Sequence, residues 1–235
     1  MTAKRGIALA MATLLAAVSL TGCGGKGKDT SVNGTTTAYK DKDLGFQLDK
    51  PEKGEQIVIM HTSKGDISIR LFPEAAPKAV ENFVTHAKEG YYDGLTFHRI
   101  VEDFMAQGGD PSGNGTGGSE KTIKGEFSQN GVDNPLSHTR GVVSMARSSD
   151  PDSASSQFFI CYGDESFLDG QYAAFGKVTE GMDVVDSFVK VERSMGSDGA
   201  VSSPNTDIIM ENVKMIDDDS DGNPRVEITM NDFLK

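Results

Sequence analysis

Several features are scarce or missing in this 235-residue chain, and each absence excludes a class of site. There is no tryptophan, and the two cysteines, Cys23 and Cys161, do not form a Cys-x-x-Cys pair, so neither a zinc site nor a dithiol site is supported. The four histidines lack metal-ligand spacing, and we expect no metal and no cofactor. The formal net charge is −12, and because nucleic acids are bound by clustered cations, we expect no nucleic-acid partner.

The longest apolar run lies at the N-terminus, from residue 6 to about residue 20. Lys4 and Arg5 precede it, as in a secretory signal peptide, and the run is too short and wrongly flanked for a membrane span. It ends in Leu20-Thr21-Gly22-Cys23, which resembles a bacterial lipobox. The resemblance implies cleavage before Cys23 and attachment of acyl chains such as palmitate to its thiol. An uncleaved anchor helix with an incidental cysteine is the alternative.

The chain is expected to divide into four parts. Residues 1–22 are the signal peptide, residues 23–52 carry the lipidated Cys23 and a flexible polar tether, residues 53–216 form the folded domain, and residues 217–235 form an acidic C-terminal extension. The protein is therefore expected at the cell membrane, anchored by lipid and facing outside the cytoplasm. We expect it to be a monomer.

Short alternating apolar runs dominate the folded part. Gln56–Met60 and Asp66–Leu71 predict a β-hairpin, and the run from Pro77 to Gly90 predicts a helix that begins at a proline and ends at a glycine. A second helix is expected near Met182–Val189. Further strands are expected at Leu95–Val101, Phe104–Gln107, Gly141–Ala146, Gln157–Cys161, Ala173–Val178 and Asp207–Ile216. Many short strands with two helices favour a mainly β barrel or sandwich.

The C-terminal extension begins with an acidic cluster at Asp217–Gly222 that resembles the first half of a calcium-binding EF-hand loop. The expected twelfth ligand position is occupied by Ile228, and Pro224 interrupts the loop, so a solvated acidic turn is the preferred interpretation. Apolar residues then alternate at Val226, Ile228 and Met230, which predicts one more strand.

Aromatic residues, one arginine and two glutamines share the strands between residues 97 and 178. Strand alternation is expected to place Met105 with Gln107, and likewise Gln157 with Phe159 and Phe97 with Arg99, on common faces. A surface of this kind would bind a small apolar ring through a few oriented hydrogen bonds. The plainer interpretation, which composition alone favours, makes Phe104, Phe158 and Phe159 core residues and Arg99 a surface cation.

The order and spacing of these segments resemble the cyclophilin family from about Gln56 to Ile216. The matching motifs are Phe97-His98-Arg99-Ile100, Phe104–Asp110, Gly115–Gly118, Ser144–Arg147, Ser156–Ile160, Phe167–Gly170 and Phe175–Val178. The resemblance implies a closed eight-stranded antiparallel β-barrel capped by two α-helices. It also implies a peptidyl-prolyl cis-trans isomerase that acts on proline-containing polypeptides and assists their folding.

The resemblance assigns roles residue by residue. Arg99 matches the catalytic arginine, and the other matched positions bind substrate. The proline ring is assigned to Phe104, Met105, Phe159 and Leu168, the substrate backbone to Gln107 and Gln157, and the rim of the site to Gly115 and Ala146.

The chain departs from the family at three places. Phe167 stands where tryptophan is common, which argues against tight binding of cyclosporin, and Tyr172 stands where many eukaryotic members have histidine. Arg147 and Ser148 replace the usual Asn-Ala, a change expected to affect preference for the residue before proline.

Rotation about the X–Pro bond needs neither a nucleophile nor a cofactor. Its barrier of ~18–20 kcal/mol comes from amide resonance, and a donor aimed at the prolyl nitrogen would stabilise the twisted transition state. Arg99 is the expected donor. A proline-segment binding module or holdase chaperone without significant turnover is the main alternative, and a purely structural scaffold is a weaker one.

Overall fold

The computed structural model describes residues 45–234, so the predicted signal peptide, Cys23 and most of the predicted tether lie outside the described residues. The helices are α1 (Gly45–Leu48), α2 (Pro77–Lys88) and α3 (Met182–Asp186). Short 3₁₀ turns occupy Ser128–Asn130, Ser166–Leu168 and Ser187–Lys190. None of the helices within residues 45–234 is long and apolar enough to cross a membrane.

Twelve strands make up the rest of the regular structure in the described residues. They are β1 (Ile57–Thr62), β2 (Gly65–Leu71), β3 (Leu95–Thr96), β4 (Arg99–Val101), β5 (Met105–Gly108), β6 (Val142–Met145), β7 (Phe158–Cys161), β8 (Ala174–Glu180), β9 (Arg193–Met195), β10 (Val201–Pro204), β11 (Ile209–Ile216) and β12 (Arg225–Met230). Ten of them form one sheet in the order β3-β11-β12-β1-β2-β8-β6-β7-β5-β4, and β9 pairs with β10 in a separate hairpin.

The sheet curls on itself because its two edge strands are consecutive in the chain. Strands β3 and β4 lie at opposite ends of the sheet order, yet only Phe97 and His98 separate them. The predicted strand Leu95–Val101 is thus divided into two pieces that pair with β11 and β5. The predicted mainly β-barrel class is confirmed. The sheet is not wholly antiparallel, however, since β1 and β12 run parallel.

The interruption at residues 97 and 98 corrects one prediction. Phe97 and Arg99 do not share a face, because strand alternation does not carry across the break. Phe97 is fully buried in the barrel core, where its ring lies 5.7 Å from Phe158 and 5.1 Å from Phe188, whereas the guanidinium of Arg99 lies outside that core and donates to Asp198.

Both predicted helices are present, and α2 has a cap supplied from a distant loop. Pro77 opens the helix, and the backbone N–H groups of Lys78 and Ala79 each donate 3.0 Å hydrogen bonds to the buried carboxylate of Glu126. A carboxylate at the N-terminus of a helix also interacts favourably with the positive end of the helix dipole. The second helix narrows from α to 3₁₀ geometry after Asp186.

The folded domain includes residues that precede the predicted boundary at residue 53. Gln47 is fully buried, and its amide bonds to the backbone of Ser137 and to the hydroxyl of Thr139. The Phe46 ring meets Phe72 edge-on at 6.0 Å. Residues 45–48 therefore belong to the domain and not to the tether, because they supply a buried polar side chain and an aromatic contact.

The C-terminal extension is also part of the barrel. Strand β12 lies between β1 and β11, and Val226 and Ile228 are fully buried. The predicted additional strand is confirmed, and the folded unit extends past residue 216. The acidic turn before it is organised locally, since the Asp219 carboxylate accepts hydrogen bonds from the backbone of Asp221 and from Asn223.

Candidate active site

The strand register places four polar and aromatic residues in one row across the sheet. Arg99 of β4 pairs with Gln107 of β5, which pairs with Phe159 of β7, which in turn pairs with Ser144 of β6. A cation, an amide and a phenyl ring therefore stand side by side, although 60 positions of sequence separate the first from the third. This row is the centre of the candidate site.

Alternation along β5 and β7 separates two apolar clusters. Ala106 and Phe158 belong to the barrel core, whereas Met105 and Phe159 belong to a smaller cluster on the other face. The predicted common faces of Met105 with Gln107 and of Gln157 with Phe159 agree with this arrangement. The smaller cluster contains Met105, Phe159, Cys161 and Leu168, with Val101, Phe104, Ala146 and Tyr172 packed against it.

A cleft of about 200 Å³ opens beside this cluster. Seven of the sequence-predicted site residues line it, namely Arg99, Gln107, Gly115, Ala146, Arg147, Gln157 and Phe159. Phe159 is only 2% exposed, so its ring forms part of the floor, while Arg99 and Gln107 stand at one side. Phe159 and Ala146 contribute to both the cleft and the small apolar cluster, which joins the two into one site.

The remaining predicted residues surround the same apolar cluster. The Phe104 and Phe167 rings stack with centroids 5.9 Å apart, and Phe167 is 55% exposed. Tyr172 meets Phe159 edge-on at 6.0 Å, and burial raises the pKa of its hydroxyl. Met105 and Leu168 are buried beneath them. The structure thus brings all twelve predicted site residues into one region.

A directed chain of hydrogen bonds fixes the polar side of the cleft. The Arg99 Nη1 group donates to Gln107 Oε1 at 3.3 Å, and Gln107 Nε2 donates to Gln157 Oε1 at 2.8 Å. Gln157 Nε2 then donates to the Gly117 carbonyl at 2.7 Å. Because each amide is used as both acceptor and donor, the orientation of both glutamines is set, and they hold Arg99 and the 115–117 loop in addition to their predicted role toward substrate.

The 110–115 loop that forms the rim is organised by one carboxylate. Asp110 is 1% exposed and accepts hydrogen bonds from the backbone N–H groups of Ser112, Asn114 and Gly115. Gly115 has φ +88°, a left-handed conformation that favours glycine, which explains the residue type at this rim position.

Arg147 is held at the opposite rim by its own neighbours. Its Nε donates to the Gln171 carbonyl at 2.9 Å and its Nη1 to the Ser148 carbonyl at 2.8 Å. The guanidinium also lies 4.6 Å from the Tyr172 ring centroid, within cation–π range. This cation is therefore a fixed part of the cleft wall and not a mobile surface group.

A buried polar group supports the floor from below. The His138 ring stacks on Phe159 with centroids 6.2 Å apart, and it bridges Asp169 at 2.8 Å and Ser144 at 3.0 Å. Burial alone would raise the pKa of Asp169, but hydrogen bonds from His138 and Ser137 outweigh it and lower that pKa. His138 is therefore a buried histidine with both ring nitrogens hydrogen-bonded.

Sequence reasoning missed one charged residue at the site. Asp198 lies in the turn of the β9–β10 hairpin, and its Oδ2 accepts a 2.6 Å hydrogen bond from Arg99 Nε. The Asp198-Gly199 pair is a turn signal that could have identified this turn. Its contact with Arg99 could not be read from the sequence, because 99 positions separate the two residues.

The site thus joins an apolar floor to a fixed cation, and such an arrangement can bind a small apolar ring while donating hydrogen bonds to polar atoms next to it. Cys161 lies in the apolar cluster, where burial raises the pKa of its thiol. Within residues 45–234, no group of three or more His, Cys, Asp or Glu side chains could hold a metal ion.

Comparison with known proteins places these features in a family. Residues 57–215 match the family model described as cyclophilin type peptidyl-prolyl cis-trans isomerase. The chain is 47% identical over 145 residues to a peptidyl-prolyl cis-trans isomerase of Helicobacter pylori, covering 61% of this chain and 85% of that protein. It is 45% identical over 163 residues to peptidyl-prolyl cis-trans isomerase cyp15 of Rhizopus delemar, covering 62% of this chain but only 25% of the fungal protein.

Solved structures give the same result. A cyclophilin type peptidyl-prolyl cis-trans isomerase of Cryptosporidium parvum aligns with TM-score 0.59 and 31% identity, covering 67% of this chain and 95% of that one. A second structure of the same parasite protein, described as in the presence of the dipeptide ala-pro, aligns with TM-score 0.57 and 31% identity over 68% of this chain and 96% of that one.

Proposed function

The chain belongs to the cyclophilin-type peptidyl-prolyl cis-trans isomerase family, and we propose that it uses Arg99 to accelerate X–Pro rotation in polypeptides outside the cytoplasm. Its enzyme class is that of an isomerase. The observation that carries the proposal is the row Arg99–Gln107–Phe159, which sets a fixed guanidinium beside the apolar floor of the cleft.

Proline-containing segments are the proposed substrates. The pyrrolidine ring is apolar and small enough for the cleft above Phe159, and the Ala-Pro dipeptide named with the parasite structure has the same chemistry. Gln107 and Gln157 supply amide groups along one wall, where the substrate backbone would lie.

Arg99 would act on the transition state more than on either ground state. As the amide twists, the prolyl nitrogen loses conjugation and regains a lone pair that can accept a hydrogen bond. Arginine stays charged near neutral pH, so the donor is always present. Uncatalysed rotation takes on the order of 10–100 s, and millisecond turnover requires about 6–7 kcal/mol of barrier lowering.

The proposal is tested by exchange NMR of a short X–Pro peptide with the full chain in detergent. Removal of one transition-state donor costs roughly 10²–10³-fold, so Arg99→Ala should slow exchange by about that factor. Arg140→Ala is the matched control, because Arg140 forms an exposed ion pair with Asp186 away from the cleft. Peptide binding without accelerated exchange in the wild type would contradict isomerase turnover and favour the holdase alternative.

We also propose that Cys23 anchors the protein to the membrane through lipid, with the domain outside the cytoplasm. Support comes from the sequence Leu20-Thr21-Gly22-Cys23 after an apolar run. Cys23→Ala should move the protein from the membrane fraction to the soluble fraction, and incorporation of labelled palmitate should be lost. Unchanged membrane partition in this variant would refute the lipid anchor, while Cys161→Ala, a buried thiol, serves as the control for loss of a cysteine.

A further inference from the structure

We propose that Asp198 is a positioning residue that fixes the guanidinium of Arg99 for isomerisation. This inference rests on the proposed role of Arg99 in catalysis. It adds a residue from a separate element, the β9–β10 hairpin, to the machinery of the site.

Both oxygens of the Asp198 carboxylate are engaged. Oδ2 accepts the 2.6 Å hydrogen bond from Arg99 Nε, while Oδ1 accepts from the Ala200 backbone N–H at 3.0 Å and from the Ser202 hydroxyl at 2.8 Å. The carboxylate is therefore oriented by its own hairpin before it meets the arginine. The side chains of Arg99 and Asp198 are 16% and 15% exposed, so the pair is largely shielded from solvent.

The hairpin that carries Asp198 is itself fixed to the barrel. Strands β9 and β10 pair in antiparallel register, and β10 packs against β4, the strand that carries Arg99. Arg193 at the base of the hairpin donates to the Val189 and Val191 carbonyls. The distance between Asp198 and Arg99 is thus determined by the fold and not by a flexible loop.

Contacts from two sides determine the plane of the guanidinium. Asp198 holds Nε, and Gln107 accepts from Nη1 at 3.3 Å. Because the guanidinium is planar and rigid, two such contacts restrict its rotation and fix the direction of its remaining donors. All three residues line the same cleft, so the restriction acts where the prolyl nitrogen would be placed.

Charge on Asp198 is maintained by the same contacts. Burial would raise the pKa of Asp198, but hydrogen bonds from Arg99, Ala200 and Ser202 together lower it below its usual value. The carboxylate therefore stays ionised at neutral pH and gives Arg99 Nε a charged acceptor, which is stronger than a neutral one.

The experiment separates rate from binding in the full chain. We would measure X–Pro exchange by NMR at saturating peptide, and peptide affinity by titration, for wild type, Asp198→Ala, Asp198→Asn and Glu102→Gln. Misplacement of a catalytic group by about 1 Å can cost up to ~10²-fold, so Asp198→Ala should lower the saturated rate by about 10- to 100-fold, with affinity changed by less than about threefold. The saturated rate of Asp198→Asn should lie between those of wild type and Asp198→Ala, because the amide oxygen of Asn can still accept a hydrogen bond from Arg99 Nε.

Glu102→Gln removes one negative charge near the hairpin without touching Arg99, and its rate should stay within about twofold of wild type. A second readout follows Arg99 directly: its ¹⁵Nε–¹Hε resonance should move upfield and exchange faster with water in Asp198→Ala. Should that variant fail to fold, Asp198→Asn provides the same two readouts.

An unchanged saturated rate in the folded variants, or an equal loss of rate and affinity, would overturn the inference and leave Asp198 with a structural role only. Failure of the proposed function is distinguished by Arg99→Ala. If Arg99→Ala is as active as wild type, the catalytic role of Arg99 fails regardless of Asp198.

Discussion

Arg99 donates hydrogen bonds to side chains from two separate elements, Gln107 of β5 and Asp198 of the β9–β10 hairpin. The resemblance to a known family identified Arg99 and Gln107 as site residues. It did not identify Asp198, and it assigned Gln107 to substrate although part of its hydrogen-bonding capacity is used to hold Arg99. At the scale of single residues, sequence motifs therefore predict which residue types converge better than they predict how those residues restrain one another.

The polar group beneath Phe159 gives a prediction about stability. His138→Leu should lower the free energy of unfolding by about 2–3 kcal/mol, because hydrogen bonds to buried charged groups contribute at this level. Asp169 would keep its contacts with the Ser137 hydroxyl and the residue-138 amide, which limits the loss. Urea denaturation measures the change.

His61→Leu is the matched control for that substitution. His61 also contacts an aspartate, Asp66, at 2.8 Å, but the two side chains are 40% and 60% exposed. Exposed pairs contribute about 0–1 kcal/mol, so the control should change stability little. Equal losses of unfolding free energy in the two variants would show that the buried group beneath the floor contributes no more to stability than an exposed pair.

Elements formed by local pattern were predicted well, and those that depend on distant pairing were not. The β1–β2 hairpin and helix α2 follow from alternating apolar residues and from Pro77 and Gly90, all of which act within a few positions. The break between β3 and β4 has no such local signal, because it arises where one segment must pair with β11 and then with β5. Strands β9 and β10 are short and mostly polar, which hides them from periodicity.

Strand β12 provides the element-scale prediction. Ile228 is fully buried between β1 and β11, so Ile228→Ala should destabilise the domain by about 2–5 kcal/mol, the usual range for truncating a core aliphatic side chain. Thermal and urea denaturation, with rates of X–Pro exchange in the folded state as a check, would measure it. Asp218→Ala, in the exposed acidic turn, is the control within the same extension. A loss below about 1 kcal/mol for Ile228→Ala would indicate a dispensable tail.

For the molecule as a whole, closure of the barrel and construction of the site depend on the same segment. Residues 95–101 link the two edges of the sheet, and Arg99 is the first residue of β4, the second of the two strands in this segment. The eight strands predicted from sequence account for the walls of the barrel together with β12, which the apolar alternation at Val226, Ile228 and Met230 also indicated. What the sequence could not show is that the point of closure and the candidate catalytic arginine are adjacent.

His98 lies at this point of closure, and its burial leads to a prediction about pH. Burial lowers the pKa of His98 below 6.5; the negative charge of Asp110 opposes this shift, and the positive charge of Arg99 adds to it. Burial also lowers the pKa of His86 on α2. A group with a lowered folded-state pKa stays neutral in the folded chain when the unfolded chain already binds a proton. As pH falls from about 6.5 toward the folded-state pKa values, the unfolded state therefore binds more protons and stability decreases.

The free energy of unfolding should thus decrease as pH is lowered from 7.5 to 5.5, with a slope of at most ~1.4 kcal/mol per pH unit for each histidine. Burial raises the pKa of the Glu165 carboxyl, so this group makes the free energy of unfolding increase as pH falls. The slope of each variant is therefore compared with the slope of wild type. The double variant His86→Gln/His98→Gln should have a flatter dependence than wild type. If the double variant keeps the wild-type slope, protonation of these buried histidines does not limit stability, and closure of the barrel is insensitive to pH in this range.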